Sequence, residues 1–204
     1  GVVYGNIAMI DQSGVETGNC LGSIHDNEDF KGEELLALLK KNYLPAPTII
    51  ARKEAWQTAL PIPDGIGFSD WYLSIKMAVK YPFYYINKIL ADYRIHGEGL
   101  HCKMTLDRSE EKTIFRILDD LFAHSDFQSN SHALKKEVYA ANYLMLADKY
   151  FGVKMANDAR RCYGFAIQNQ KHLLFDSGVF RRGLATYMGV DLYRSIKKMI
   201  LYHD

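Results

Sequence analysis

The residues best suited to chemistry stand at the start of a predicted helix, where Ser69, Asp70 and Trp71 follow a flexible approach from Gly65 to Gly67. Ser69 is a good N-cap, because its hydroxyl can accept a hydrogen bond from an amide of the first helical turn. Asp70 then lies in that turn, where the helix dipole favours an ionised carboxylate. A carboxylate held at the mouth of a pocket can act as a general base. The alternative is that Asp70 only starts the helix.

A second polar group, Tyr93-Arg94-Ile95-His96, ends the apolar stretch that follows this helix. Taken by residue type alone, Arg94 is expected to be a structural ion-pair partner and His96 a surface histidine. His101 lies in the same segment, and the sequence does not separate it from His96 as a candidate functional histidine.

Composition limits the class of protein. The chain has 204 residues, which is enough for one large domain or two small ones with a real core. A formal charge of +1 gives no argument for a nucleic-acid partner. The three cysteines show neither metal spacing nor a disulfide framework. Because the cysteines form no disulfide framework, a reducing cytoplasm is expected. No apolar run approaches the roughly 20 residues of a membrane span.

Apolar periodicity predicts an α/β region over residues 1–105. Alternating or β-branched stretches predict strands over residues 2–10, 15–20, 48–51, 82–86 and 89–94. Asp11 to Gly14 is a turn signal, so the first two strands form a hairpin. Helical spacing over residues 32–43 and 71–80 predicts two helices. Segment 23–30, which includes His25, is expected to be a solvated loop. The strand-like pattern starts at Val2, so we expect a piece of a longer protein.

The pattern becomes wholly helical over residues 106–204, which predicts a second domain. Asp107 and Glu110 have the spacing of a capping box, and Ser131 starts a long helix that ends at Gly152. Two shorter helices are expected over residues 180–187 and 192–201. Basic residues crowd this end of the chain: Arg160, Arg161, Arg181, Arg182, Arg194, Lys197 and Lys198. Peripheral membrane contact is one interpretation of this charge, and a solvated helix face is the other.

Small and aromatic residues recur in the helical region. Tyr143-x-x-Leu146-Ala147-x-x-Tyr150 is followed by Ala159-x-x-x-Tyr163-x-x-Ala166. This segment resembles one tetratricopeptide helix pair, in which small residues allow close approach and aromatics fill the gap. No second copy follows at the same period, so we expect a helical hairpin within a bundle.

The stretch from Pro47 to His101 resembles the second half of the catalytic domain of inverting family-2 glycosyltransferases, which have the GT-A fold. In that family an acidic-Asp-Trp segment supplies the catalytic base, and a Tyr-Arg-x-His segment follows one helix and two strands later. The segments around Asp70 and Arg94 match this order. The sequence departs from the family pattern in two ways. Ser69 stands where an acid is usual, and no Asp-x-Asp metal motif occurs in the chain.

The resemblance implies a partial GT-A-type mixed sheet that lacks its nucleotide-binding half, because that half carries the Asp-x-Asp motif. It implies Asp70 as the base and Arg94 as a contact of the donor diphosphate, since a guanidinium matches phosphate geometry. It further implies His96, or alternatively His101, as a ligand of a divalent metal (Mn or Mg) in the full-length protein.

The implied reaction is inverting transfer of a sugar from a nucleotide-diphosphate donor to a glycan or lipid-linked acceptor in cell-surface polysaccharide synthesis. The fragment alone is expected to be inactive. The other interpretation is a non-catalytic protein-interaction module built on the C-terminal helices, with the Asp70 segment as scaffold. Donor and acceptor are thus the expected partners of the enzyme, and a homodimer is compatible with either interpretation.

Overall fold

The computed structural model describes residues 1–20, 24–25, 28–95, 100–123, 131–189 and 193. In this part of the chain, a mixed sheet and helices come first and helices alone follow, as the sequence predicts. The strands are β1 Val2–Ile10, β2 Glu16–Cys20, β3 Phe30–Gly32, β4 Ile50–Ala51 and β5 Phe83–Arg94. The helices are α1 Leu35–Lys40, α2 Lys53–Ala59, α3 Ser69–Ala78, α4 Leu100–Leu106, α5 Ser109–Ala123, α6 Ser131–Gly152, α7 Ala156–Asn169 and α8 Ser177–Met188.

β1 is the central strand of the sheet. It pairs in parallel with β5, and β2 and β4 run antiparallel to it. β3 pairs antiparallel with the start of β5. The predicted hairpin of β1 and β2 is confirmed, and the Asp11 carboxylate holds its turn by accepting from the amides of Ser13 and Val15 at 2.8 and 2.9 Å. Five strands thus form one mixed sheet in the described residues.

β5 is one continuous strand, so the prediction of two separate strands is wrong. Its register against β1 shifts at the expected break: Gly5 pairs with Ile86, but Asn6 pairs with Ile89. The two extra residues, Asn87 and Lys88, therefore form a bulge instead of a turn. β1 accommodates the bulge through Gly5, because a side chain at that position would collide with Leu90.

Two predicted elements are shorter than expected. Residues 32–43 contain only the six-residue α1, because Gly32 belongs to β3 and the chain leaves the helix at Lys41. Of residues 48–51, Thr48 ends the 3-10 turn Ala46–Thr48, and only Ile50 and Ala51 form the strand β4. The buried Thr48 hydroxyl lies 2.9 Å from Pro45 O and 3.1 Å from Gly5 O as alternative acceptors of its proton, and it accepts from the Gly5 amide at 3.2 Å.

The contacts divide the chain into two compact units, Gly1–Asp126 and Phe127–Asp204. α5 packs in the first unit through Arg116 and Asp120, and the predicted division at residue 105 stays a prediction. The capping box predicted for α5 is wrong. Asp107 accepts from the amide of Ser109 at 2.8 Å, and the buried Glu110 accepts from the hydroxyl of Thr105 at 2.6 Å. α5 consequently begins at Ser109.

In the second unit, α6 and α7 pack against each other and α8 packs on α7. Of the residues in the predicted small and aromatic pattern, Tyr143 is half-buried. The other six are buried: Leu146, Ala147, Tyr150, Ala159, Tyr163 and Ala166. Tyr163 donates to Asp148 at 2.6 Å, and the Arg182 guanidinium of α8 lies 2.8 Å from the same carboxylate oxygen. This cluster joins all three helices. Apart from Tyr193, the helix predicted over residues 192–201 lies outside the described residues.

Candidate functional site

α3, which carries Asp70, is anchored on both sides by the two residues that follow the aspartate. Trp71 donates its indole N–H to Leu38 O of α1 at 2.7 Å, and Tyr72 donates its hydroxyl to the Asp120 carboxylate of α5 at 3.0 Å. Both aromatic side chains are buried. Burial, together with the Asp120 carboxylate, raises the pKa of Tyr72 to about 12. The start of α3 is therefore held in place between α1 and α5.

Asp70 lies in the first turn of α3, as predicted, but the capping residue differs. Phe68 occupies the N-cap position without a side-chain cap, and Ser69 is already helical, so the Ser69 cap prediction is wrong. The buried Phe68 ring fixes the chain here, and Phe68 O accepts from the Tyr72 amide at 3.0 Å. Asp70 is half-buried. In the described part of the chain, no group donates a hydrogen bond to its carboxylate, which leaves both oxygens available to a ligand.

The loop before α3 is closely packed, contrary to the expectation of a flexible approach. Gly65 has φ +73°, and a Cβ there would lie 2.8 Å from the Arg116 guanidinium of α5. The same guanidinium donates to Asp64 O at 2.5 Å. A Cβ on Gly67 would lie 3.0 Å from the Thr113 methyl group. Both glycines thus allow the loop to lie directly on α5, which further fixes the position of Asp70.

Arg94 is the last residue of β5 and is exposed. Its Nη1 donates to Asp11 O at 2.9 Å and to Gln12 O at 2.8 Å. The partners of Arg94 are thus two carbonyls of the hairpin turn, and no carboxylate is among them. Because Nη1 carries both bonds, the N–H groups on Nε and Nη2 have no partner among the described residues and could contact an anion.

The order of the elements gives an expected direction for α3. α3 leads into β5 across residues 79–82, and β5 runs parallel to β1. A helix that precedes a parallel strand usually runs antiparallel to it, so we expect the N-terminus of α3 toward the carboxyl end of the sheet, where ligands of open α/β sheets bind. No described contact joins Asp70 to Arg94. His96 lies outside the described residues, and of His101 only the position within α4 is described.

Sequence reasoning missed a buried polar cluster around Glu34. The Glu34 carboxylate is 1% exposed and accepts from the Tyr4 hydroxyl at 2.8 Å and the Tyr43 hydroxyl at 2.5 Å. His25 Nε2 lies 2.6 Å from the same carboxylate, and its ring stacks on Phe30 at 3.9 Å. The prediction of a solvated loop is therefore wrong at His25, whose side chain is only 12% exposed.

The tyrosines of this cluster are held in the neutral form. Burial and the hydrogen bond to Glu34 raise the pKa of both Tyr4 and Tyr43 well above the usual range. No local signal could have found the cluster, because its members come from β1, the segment around His25, the start of α1 and the residues after α1. The hydrogen bonds of Glu34 hold these segments together, and both of its carboxylate oxygens have partners.

The described residues do not supply a metal centre. Among them, no group of three or more His, Cys, Asp and Glu side chains has a metal-binding arrangement. The donor set implied by the resemblance consists of His96, which lies outside the described residues, and an Asp-x-Asp motif that the chain lacks. The manganese or magnesium ion that the resemblance implies for the full-length protein therefore stays a prediction.

Comparisons with family models, with curated proteins and with solved structures find no match to this chain. None of the helices in the described residues combines the length and the apolar character that crossing a bilayer requires. A functional conclusion for this chain consequently depends on the geometry of its own residues.

Proposed function

We propose that this chain is the acceptor-side part of a GT-A-type glycosyltransferase, with a C-terminal helical part that includes a tetratricopeptide-like pair. The proposed reaction is transfer of a sugar, with inversion, from a nucleotide-diphosphate donor to a glycan or lipid-linked acceptor in cell-surface polysaccharide synthesis. The observation that carries the proposal is the Asp70 carboxylate. It is half-buried, fixed in a first helical turn and not used by any hydrogen bond in the described residues.

The chemistry requires a base within hydrogen-bond reach of the acceptor hydroxyl and a cation near the departing diphosphate. Asp70 removes the hydroxyl proton as the acceptor oxygen attacks the anomeric carbon, and the bond from that carbon to the diphosphate breaks with its electron pair. The N–H groups of Arg94 that the hairpin turn does not use stabilise the charge on the leaving group. These steps use only this chain's own residues. The expected divalent metal belongs to His96 and to ligands that this chain does not contain.

The test is Asp70→Asn in the protein that contains this chain, with Asp64→Asn as the matched control. Asp64 is exposed, lies six residues earlier and contacts Arg116 through its backbone oxygen, so its carboxylate is not needed for packing. We expect Asp70→Asn to lower kcat by about 10²-fold or more, because a general base typically contributes that much. Steady-state transfer assays measure kcat, and calorimetry measures donor affinity.

Loss of turnover with retained donor affinity in Asp70→Asn, beside normal activity in Asp64→Asn, supports the proposal. Equal activity of both variants would mean that Asp70 only starts the helix, and the proposal would then fail. A parallel loss of donor affinity and of melting temperature would likewise assign Asp70 a structural role.

The alternative function is a non-catalytic interaction module built on the C-terminal helices. It draws on the apolar residues that α8 exposes, Phe180, Leu184, Tyr187 and Met188. Under this alternative, Asp70→Asn changes stability slightly and leaves binding through α8 unchanged. Substitution of the α8 residues would instead abolish the function.

A further inference from the structure

α8 has two groups of apolar residues on opposite sides, and among the described residues one group is buried and the other is exposed. Val179, Ala185 and Thr186 are buried on the side that packs toward α7. Phe180, Leu184 and Tyr187 lie on the opposite side and are 60%, 50% and 70% exposed. Their spacing of four and three residues places them in one stripe. α8 thus exposes an apolar stripe on the side away from its buried residues.

The stripe continues into the 3-10 segment that precedes α8. Phe175 is 90% exposed, and Leu174 beside it is also exposed. Asp176 is the N-cap residue of α8. Phe175 precedes this cap and Phe180 is the fourth residue after it, and these two positions often carry apolar residues that pack together at the start of a helix. Both phenylalanines therefore belong to the N-terminal end of α8. We call the exposed residues Leu174, Phe175, Phe180, Leu184, Tyr187 and Met188 the α8 patch.

Positive charges border the α8 patch. The Arg160 guanidinium lies 3.6 Å from the Tyr187 ring centroid and is held there by a hydrogen bond to Thr186 O at 2.6 Å. On the other side, Arg181 is exposed and donates to Ser177 O at 3.0 Å. The nearby acid, Asp176, uses its carboxylate to cap α8 at the Val179 amide. An aromatic and aliphatic stripe with guanidinium groups at its edges is complementary to the surface of an anionic bilayer.

We propose that the α8 patch binds the surface of an anionic lipid bilayer, with α8 lying in the plane of the interface. The apolar side chains enter the region below the headgroups, and Arg160 and Arg181 contact lipid phosphates. Tyr187 suits the boundary between the apolar region and the headgroups, because its ring is apolar and its hydroxyl is polar. The contact is peripheral, since none of the described helices could cross a bilayer. The proposal does not depend on the glycosyltransferase assignment.

The test is co-sedimentation of the 204-residue chain with vesicles of phosphatidylcholine alone or mixed with phosphatidylglycerol. We expect binding to the mixed vesicles. Phe175→Ser, Phe180→Ser and Leu184→Ser combined should lower the partition coefficient at least about tenfold, because each removes apolar area from the interface. Arg181→Gln should lower it about fivefold on the anionic vesicles only. The matched control replaces three equally exposed apolar residues of the first unit, Val15, Ile50 and Leu106, by Ser.

Circular dichroism melting and sedimentation velocity accompany each variant. A folded wild-type chain that binds neither kind of vesicle overturns the proposal. The same holds if the control triple loses as much vesicle binding as the α8 triple. A third contradicting result is a wild-type oligomer that the α8 triple converts to monomer without any change in vesicle binding, because the patch would then be a protein interface.

Discussion

Two acids start helices in the first unit, and their side chains are used in opposite ways. Glu34 is the N-cap residue of α1, and its buried carboxylate accepts from two tyrosines and lies beside His25. Asp70 is in the first turn of α3, is half-buried and accepts no hydrogen bond in the described residues. A carboxylate whose oxygens are all hydrogen-bonded contributes to stability, whereas one without such bonds is accessible to a ligand. This contrast separates the structural acid from the candidate base.

The structural role of Glu34 predicts a large loss of stability in Glu34→Ala. The substitution leaves the Tyr4 and Tyr43 hydroxyls buried without their acceptor and removes the partner of His25, so the free energy of unfolding should fall by about 3 kcal/mol. Glu33→Ala is the control. Glu33 is adjacent and exposed, and its loss should change the value by no more than about 0.5 kcal/mol. Urea unfolding measures both, and equal values would show that the cluster does not stabilise the fold.

At the scale of elements, α3 depends on contacts that reach it from other parts of the first unit. Its first turn lies between the α1 carbonyl of Leu38, the α5 carboxylate of Asp120 and a loop pressed onto Arg116. The proposed role of Asp70 as a base requires that its position be fixed in this way, because a shift of about 1 Å in a catalytic group can lower the reaction rate about 10²-fold. The glycines of the loop make the contact with α5 possible.

Gly65→Ala therefore tests the loop. The left-handed backbone at φ +73° and the Arg116 guanidinium at 2.8 Å both oppose a Cβ, so the free energy of unfolding should fall by about 1 to 3 kcal/mol. Gly164→Ala is the matched control, because Gly164 lies within α7 and a Cβ there meets no atom within 4 Å. It should be neutral or stabilising by up to about 1 kcal/mol. Thermal and urea unfolding measure the difference. A Gly65→Ala variant as stable as Gly164→Ala would contradict the close packing of the loop.

The local sequence pattern predicted the elements that carry a clear periodicity or turn signal in their own residues. These are the hairpin of β1 and β2, α3, α6 and α7. The pattern failed where contacts distant in sequence take part. Thr48 belongs to a 3-10 turn instead of the predicted strand, and its hydroxyl oxygen accepts from the amide of Gly5, far away in sequence. His25 belongs to a polar segment, yet its side chain is largely buried because its Nε2 contacts the buried Glu34 carboxylate at 2.6 Å. For the site, the pattern located Asp70 and the end of β5, but the carbonyl partners of Arg94 depend on the parallel register of β1 and β5.

At the scale of the whole molecule, the proposed enzyme needs a nucleotide site in addition to the residues described. The chain has no Asp-x-Asp motif, so we expect the 204 residues alone neither to bind nucleoside diphosphates in a metal-dependent way nor to turn over nucleotide sugars. Calorimetric titration with a panel of nucleoside diphosphates, with and without manganese, measures the first. Turnover by the folded chain alone would show that its own residues bind the donor. The interpretation of this chain as only the acceptor-side part of a catalytic domain would then be wrong.

β5 is longer than the strand beside it, and this has a consequence for the way in which the sheet meets other chains. β3 pairs only with Phe83 to Tyr85, and in the described residues no strand continues that pairing along the rest of β5. The Asn87 amide is already used, because it donates to the Asp29 carboxylate at 2.8 Å. Beyond Asn87, the outer edge of β5 has the form of a template for one more strand. Lys88, Asp92 and Arg94 are exposed along this stretch, and charges of this kind oppose indiscriminate pairing with other chains.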